Sequence, residues 1–165
     1  MEKWKTKTRI GDKKIMDKIK LDSKKYYYTF LDMIFKGQED IVERYNWLIA
    51  DYECNYYYDD VFEKNRYNYL WLNGKEMIEL IMKDDIQFIW GAILAFDKSI
   101  SLEEILQYDL PISHLDFDKK KNMQHDKSMI EIYSLDSSEL FILSKQREFI
   151  NHFLERYKEA KRLID

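Results

Sequence analysis

The chain has 165 residues, of which 45% are hydrophobic and 35% charged, and its net charge is −4 at pH 7. This composition is typical of one globular domain and not of a disordered chain. The small net charge gives no support to a nucleic-acid-binding protein or to one held on an acidic membrane surface. No apolar run reaches the roughly 20 residues that a transmembrane helix requires, and the charged N-terminal sequence does not resemble a signal peptide. We therefore expect a cytoplasmic protein without membrane contact.

The chemistry that the residue types permit is narrow. Cys54 is the only cysteine, which excludes an internal disulfide, and its acidic neighbours disfavour a reactive thiolate. The four glycines are scattered and cannot build a phosphate-binding loop. No serine lies in a nucleophile-elbow motif. The sequence predicts no cofactor and no catalytic residue.

Residues 1–22 form a basic segment in which eight lysine or arginine residues face four acidic ones. Its apolar residues are sparse, so we expect a mobile arm, with a short strand or one amphipathic turn as the alternatives. A nucleic-acid role for this arm is the weakest of the functions considered. We assign the remaining residues, 23–165, to a single α+β domain.

A helix is predicted over residues 23–36, because Ser23 suits an N-cap and Gly37 suits a left-handed C-cap. Its apolar side chains recur at helical spacing: Tyr27, Phe30, Leu31 and Ile34. Residues 45–50 and 67–72 alternate at period two with residues that favour strands, and therefore predict two strands.

A second helix is expected to begin after Asn73, which forms a capping-box pattern with Glu76. Residues 86–96 are apolar at both alternating sets of positions and too few to cross a membrane. We interpret this run as a strand buried on both sides, in the middle of the sheet. A buried helix remains the alternative.

Ser101 and Glu104 form a second capping-box pattern, which predicts a short helix that ends before Pro111. Residues 112–127 form a polar connection without periodicity.

Two further strands, 129–135 and 139–143, are predicted to form a hairpin around Asp136-Ser137-Ser138. Ser144 then suits the N-cap of a final amphipathic helix. The predicted fold class is α+β, a mainly antiparallel sheet of about five strands with helices packed on it.

The densest set of candidate metal ligands lies in the connection, at His114, Asp116, Asp118, His125 and Asp126. Imidazole and carboxylate together suit zinc, manganese or iron. The spacing matches no established metal motif, and three lysines at 119–121 oppose a cation. A solvated loop is therefore favoured, and no metal ligand is assigned.

An acidic segment rich in tyrosine follows the first predicted strand. Tyrosine supplies contact area at low entropic cost, and carboxylates steer a basic partner. We therefore predict a surface that binds a basic protein. The alternative is that the tyrosines pack on the core of the domain. The predicted binding residues are Asp51, Glu53, Tyr56, Tyr57, Tyr58, Asp59 and Asp60.

The C-terminal half contains the segments Ile89-Trp90-Gly91-Ala92, Leu102-Glu103-Glu104-Ile105-Leu106, Leu110-Pro111, Gln124-His125, Ile130-Glu131-Ile132 and Asp136-Ser137-Ser138. In these segments it resembles a family of small uncharacterised bacterial proteins that look like immunity proteins encoded beside secreted toxins. The resemblance is carried by structural residues and implies a related fold; it transfers no catalytic residue.

Two functions follow from this sequence. The first is a non-catalytic protein-binding module, in one form an immunity protein that neutralises a basic toxin through the acidic tyrosine-rich segment. The alternative is an enzyme or metal-binding protein that uses residues 114–126.

Overall fold

The structure, a computed structural model, describes residues 16–22, 28–55, 69–83, 85–117, 119 and 122–163. They form one antiparallel sheet of seven strands, in the order β3-β2-β4-β5-β6-β1-β7, with five helices. The strands are β1 (Asp17–Asp22), β2 (Tyr45–Cys54), β3 (Tyr69–Leu72), β4 (Phe88–Asp97), β5 (Ser128–Leu135), β6 (Glu139–Ser144) and β7 (Lys161–Arg162). The helices are α1 (Leu31–Phe35), α2 (Glu39–Glu43), α3 (Gly74–Ile81), α4 (Leu102–Ile105) and α5 (Arg147–Arg156). No helix in these ranges is both long and apolar enough to cross a bilayer.

The α+β class is confirmed, but the sheet has seven strands where about five were expected. The additional strands are β1, which lies within the basic segment 1–22, and the two-residue β7. β1 is inserted between β6 and β7, and its Ile19 and Leu21 are buried. The sequence pattern indicates β1 only weakly, because the strand has only two apolar side chains. Lysine side chains can cover apolar surface with their aliphatic part while the charged end stays near water.

The helix predicted over residues 23–36 is shorter in the structure. Residues 23–27 lie outside the described part, and α1 begins only at Leu31. Before it, the Phe88 N–H donates to the Thr29 carbonyl and the Leu31 N–H donates to the Ile86 carbonyl. These residues therefore pair with the chain that enters β4, which competes with helical hydrogen bonding. Gly37 adopts φ +73°, the left-handed conformation expected after the helix.

One face of the sheet, here called the helical face, packs against α1, α2, α3 and α5. Trp47 of β2 is fully buried, with its ring 5.1 Å from that of Phe35 and its indole N–H donating to the Val42 carbonyl at 2.9 Å. α2 and α3 approach closely, because a Cβ at Gly74 would lie 2.6 Å from the backbone of Glu43. This core unites apolar residues from the helices with alternate residues of the strands.

The opposite face, here called the loop face, is covered by α4 and the connection 106–127. Phe117 from the connection stacks on Tyr133 at 4.2 Å and lies 5.2 Å from the ring of Phe141. Met123 is buried in the same cluster. The connection that was expected only as polar therefore supplies part of a second core.

Glu131 holds this connection in place from the centre of the loop face. Its carboxylate is fully buried and accepts hydrogen bonds from the backbone N–H groups of Gln124 and His125, both at 2.9 Å. The hydroxyls of Ser128 and Tyr133 also donate to it, both at 2.7 Å. Burial and the adjacent Glu131 raise the pKa of the Tyr133 phenol. The buried charge is thus compensated by four donors, as buried carboxylates require.

Of the two predicted capping boxes, the one at Asn73 is complete, whereas the one at Ser101 has only its N-cap bond. Asn73 accepts from the Glu76 N–H, and the Glu76 side chain accepts from the Asn73 N–H, which completes a capping box. Ser101 accepts from the Glu104 N–H at 3.1 Å, but α4 already ends at Ile105.

The predicted hairpin is confirmed as β5 and β6, and its turn places Asp136 at φ 48° and Ser137 at φ 59°. Positive φ at two successive residues suits the twist of a tight hairpin. The expected N-cap of the last helix is wrong, since Ser144 is the final residue of β6 and α5 begins at Arg147. The Ser144 hydroxyl instead bridges the turn by bonding both the N–H and the carbonyl of Gln146.

Candidate binding site

One end of the sheet collects exposed carboxylates. Here β1, β2 and β5 end while β4 and β6 begin. Hydrogen bonds join the loops at this end, since the Asn55 amide donates to the Asp85 carbonyl and accepts from the Gln87 N–H, both at 2.8 Å. We call this surface the acidic end and define it by Asp22, Asp51, Glu53, Asp85 and Asp136, all exposed.

Asp51 lies at an irregularity in β2 that changes the direction of its side chain. The β2–β4 register shifts between Ala50 and Glu53, and Asp51 has φ 45°. Ala50 belongs to the core of the loop face, so regular alternation would turn Asp51 toward the helical face. The bulge instead turns its carboxylate toward the connection, which is a common use of β-bulges.

Ser113 of the connection holds the Asp51 carboxylate. Its N–H donates to Asp51 Oδ2 at 2.6 Å and its hydroxyl donates to the same oxygen at 2.7 Å. Partial burial acts to raise the pKa of Asp51, but the bonds from Ser113 and the neighbouring His114 outweigh it and lower that pKa below its usual range. Asp51 is therefore ionised at neutral pH and fixed in position.

His114 and Trp90 form an aromatic stack beside Asp51. Their ring centroids are 4.1 Å apart with an interplanar angle of 32°. His114 Nδ1 lies 3.4 Å from Asp51 Oδ2. Glu53 is directly opposite Trp90 in the β2–β4 ladder, so their side chains share a face. The carboxylates of Asp51 and Glu53 therefore lie on the same side of the sheet as the Trp90–His114 stack.

Aspartate, serine and histidine meet here, but the geometry differs from that of a nucleophilic relay. In such a relay the serine hydroxyl bonds one ring nitrogen of histidine and the aspartate bonds the other. Here the hydroxyl of the buried Ser113 donates directly to Asp51, and the same nitrogen, Nδ1 of His114, lies near both partners at 3.1 and 3.4 Å. This arrangement positions Asp51 and directs the Ser113 hydroxyl proton to the carboxylate of Asp51, with no separate aspartate among the described residues on the other ring nitrogen of His114.

The two histidines of the proposed metal loop occupy different places. His114 lies at Trp90, whereas His125 is buried against the rings of Phe96 and Tyr108. Trp90 and Phe96 are six residues apart on β4, which corresponds to about 20 Å. In the described ranges no group of three or more His, Cys, Asp or Glu side chains could hold a metal ion.

Of the predicted binding residues, the structure places Asp51 and Glu53 at the acidic end. Tyr56, Tyr57, Tyr58, Asp59 and Asp60 lie outside the described residues. Sequence reasoning missed Trp90 and Ser113 as members of the site. The sequence could have indicated Trp90, because a large aromatic residue at the start of a buried strand lies near the exposed end of the sheet. Nothing in the sequence indicates Ser113.

Comparison with models of known protein families, with curated protein sequences and with solved structures gives no significant match.

Proposed function

We propose that this chain is a non-catalytic binding module that recognises a basic protein through the acidic end. The observation that carries the proposal is the Asp51 carboxylate, which Ser113 fixes beside the Trp90–His114 stack. A charged group that is already ordered loses little conformational entropy when a partner docks. Preorganised charge next to exposed aromatic surface is typical of protein recognition sites.

Electrostatics support the sign of the partner. Within the described ranges, neither Asp51 nor Glu53 forms an ion pair with a lysine or arginine. Their charge is therefore open to an external cation. Carboxylates from several strands at one end of a sheet produce a negative field that accelerates encounter with a positive protein.

The adjoining sequence fits the same purpose. Residues 55–60 read Asn-Tyr-Tyr-Tyr-Asp-Asp and directly follow β2, which ends at the acidic end. Tyrosines there would supply apolar contact area and hydroxyl donors once charge has brought the partner close. We include Tyr56, Tyr57 and Tyr58 in the proposed surface on this ground.

In its more specific form, the proposal is that of an immunity protein, which acts in the cytoplasm of the producing cell and covers a cationic toxin. The resemblance of the C-terminal half to immunity-type proteins suggests this form. The toxin would be encoded beside the gene for this chain.

The test is the association kinetics of the purified protein with the product of the neighbouring gene, at low and high salt. The charge-reversing double variant Asp22→Lys/Glu53→Lys should lower the association rate at low salt by about tenfold or more and reduce its salt dependence. The matched control Glu103→Lys/Glu155→Lys makes the same net change at exposed positions outside the acidic end.

Each result bears on a different part of the proposal. Wild-type kinetics for the Asp22/Glu53 variant would rule out the acidic end as the binding surface. Equal losses in both double variants would show a dependence on net charge alone. An absence of binding to the neighbouring product would remove the immunity form.

A further inference from the structure

Three of the four large apolar side chains that are exposed in the described structure lie close together on the cover of the loop face. They are Leu106, Tyr108 and Ile112, each at least 40% exposed, and we call them the apolar patch. They surround one turn, because the Tyr108 ring lies 4.7 Å from that of His125 and the Gln124 side chain bonds both the N–H and the carbonyl of Ile112. Leu106 follows Ile105, whose carbonyl lies 3.4 Å from His125 Nε2. Apolar side chains that are exposed as a group mark an interaction surface, whereas single ones do not.

The chain around the apolar patch is acidic. Residues 102–112 carry three carboxylates, Glu103, Glu104 and Asp109, and no lysine or arginine. Glu104 lies 3.6 Å from Lys127. Within the described ranges, Glu103 and Asp109 form no ion pair. A segment that covers the apolar patch therefore has to combine apolar side chains with basic ones.

The N-terminal part of the chain joins the sheet beside this surface. The strand register places Asp17, the first residue of β1, level with Ala95 of β4. The next residue of β4 is Phe96, whose ring packs on His125. Met16 packs against the core of the loop face. Residues 1–15 therefore enter the sheet on the face and at the level of the apolar patch.

Residues 1–15 have the composition and the length that this surface requires. They contain six lysine or arginine residues against two acidic ones, and they include the large apolar side chains of Trp4, Ile10 and Ile15. Two strands separate β1 from β4, which corresponds to about 14 Å across the sheet. Fifteen residues reach up to about 50 Å when extended, so the segment covers this distance easily.

We propose that residues 1–15 bind to the apolar patch of the same chain, with basic side chains near Glu103 and Asp109. Burial of the exposed apolar side chains supplies the attraction, and opposite charge adds to it. Weak contacts are sufficient, because the connection to β1 keeps the segment at a high local concentration. This inference does not depend on the proposed function. It places the segment away from the acidic end, which lies at the other end of β1, at Asp22.

The experiment is limited proteolysis of the full chain with trypsin, which cleaves after lysine and arginine. Intact mass spectrometry detects the products that begin at Thr6, Thr8 or Ile10. Trypsin cuts the segment only while it is released from the patch, so the cleavage rate follows the released fraction. The double variant Tyr108→Ser/Ile112→Ser should accelerate this cleavage about threefold. The control Met82→Ser removes the exposed apolar side chain that lies outside the patch and should leave the rate unchanged.

Neutral variants test the charges without adding a trypsin site. Glu103→Gln/Asp109→Asn should accelerate cleavage about twofold, since each exposed charge contributes little. The matched control Glu79→Gln/Glu155→Gln removes two exposed carboxylates from other helices and should have no effect.

A nitroxide label shows where the segment lies. Cys54 is the only cysteine and is buried, so the chain Cys54→Ala/Lys7→Cys carries the label at one position. The label should broaden the amide signals of residues 106–112 most strongly, and Tyr108→Ser/Ile112→Ser should remove this broadening. A mixture of labelled chains with unlabelled, nitrogen-15-enriched chains should show no broadening, because the contact is within one chain.

Equal cleavage rates for the patch variant and for Met82→Ser would overturn the proposal. Strongest broadening at Asp22 and Glu53 would place the segment on the acidic end instead, and broadening between separate chains would show that a second copy is the occupant. If Cys54→Ala does not fold, the two trypsin comparisons decide alone.

Discussion

The two faces of the sheet are closed in different ways. On the helical face, helices with apolar residues at regular spacing cover the strands, and the core cluster is built from apolar side chains together with Tyr28, Tyr45, Trp47, Cys54 and Tyr157. On the loop face, a four-residue helix and an irregular connection cover the strands and pack around the buried carboxylate of Glu131. The same strands can therefore be covered by periodic helix packing or by a loop that hydrogen bonds fix.

This difference predicts different responses to perturbation. Side chains on the helical face are held by several elements at once, so damage there affects the whole domain. The cover of the loop face depends on one carboxylate and a few rings, so it opens as a local unit.

The largest expected effect distinguishes two fully buried phenylalanines, one on each face. Phe35→Ala removes contacts with Trp47 and Phe149 and should lower the free energy of unfolding by about 4 kcal/mol. Phe117→Ala removes the stack on Tyr133, but the connection can collapse into the space, so the loss should be about 2 to 3 kcal/mol. Denaturant unfolding at constant pH measures both.

Hydrogen exchange shows where each loss acts. Phe117→Ala should accelerate exchange mainly in residues 106–127, whereas Phe35→Ala should accelerate it throughout the sheet. Uniform acceleration in both variants would contradict a separately opening cover.

A somewhat smaller effect is expected for Glu131→Gln, which keeps the shape of the side chain but turns one acceptor oxygen into a donor. Each oxygen of Glu131 accepts from two donors, which are the Gln124 N–H and the Tyr133 hydroxyl on one oxygen and the His125 N–H and the Ser128 hydroxyl on the other. In the variant, the two donors at the replaced oxygen face an amide group that is itself a donor. We expect a loss of about 2 kcal/mol.

Limited proteolysis provides a second measurement for Glu131→Gln, because cleavage should concentrate in residues 106–127. Ser134→Ala is a suitable control, since its buried hydroxyl on the same strand has no hydrogen-bond partner in the described structure. A larger loss for Ser134→Ala than for Glu131→Gln would contradict this account of the loop face.

The smallest expected effect is a loss of stability at acidic pH, caused by His125. Burial lowers the pKa of His125, although the Ile105 carbonyl and Glu131 oppose this. In the folded state Nδ1 accepts from the Lys127 N–H at 3.2 Å, so protonation of Nδ1 would put two donors together. The unfolded chain binds the proton more readily, and stability therefore falls as pH decreases below about 6.5 until the folded pKa is passed.

The free energy of unfolding, measured from about pH 7.5 to about pH 5.5, checks this sign. His125→Gln should flatten the dependence relative to the unmodified chain. A steeper dependence in the variant would mean that other groups dominate acid sensitivity.

The contrast between the faces also explains what the sequence could predict. The two long strands, the capping box at Asn73 and the hairpin turn at Asp136 were predictable because each depends on local chemistry. The cover of the loop face was not, because Phe117 and Met123 are isolated apolar residues in polar sequence. Their burial depends on Glu131, which the sequence places only as one position of a strand.

The candidate site was predictable in part. The negative charge of the site could be predicted from Asp51 and Glu53. The contact of His114 with Trp90 could not, because it joins residues that are distant in sequence. The bulge that turns Asp51 toward Ser113 has no local signature, since no glycine marks it. Helix 23–36 was overestimated because the backbone of Thr29 and Leu31 pairs with residues 86–88, which periodicity cannot reveal.

The insertion of β1 between β6 and β7 also has a consequence for synthesis of the protein on the ribosome. Asp22 pairs with Glu139, a separation of 117 residues (139 − 22), so at ordinary translation rates β1 precedes its partner by about 6 to 23 s. During that interval β2, β3 and β4 can already associate, while β1 has no neighbouring strand. β1 therefore joins the sheet only after β6 has been synthesised, although β1 is the first of the described strands in sequence.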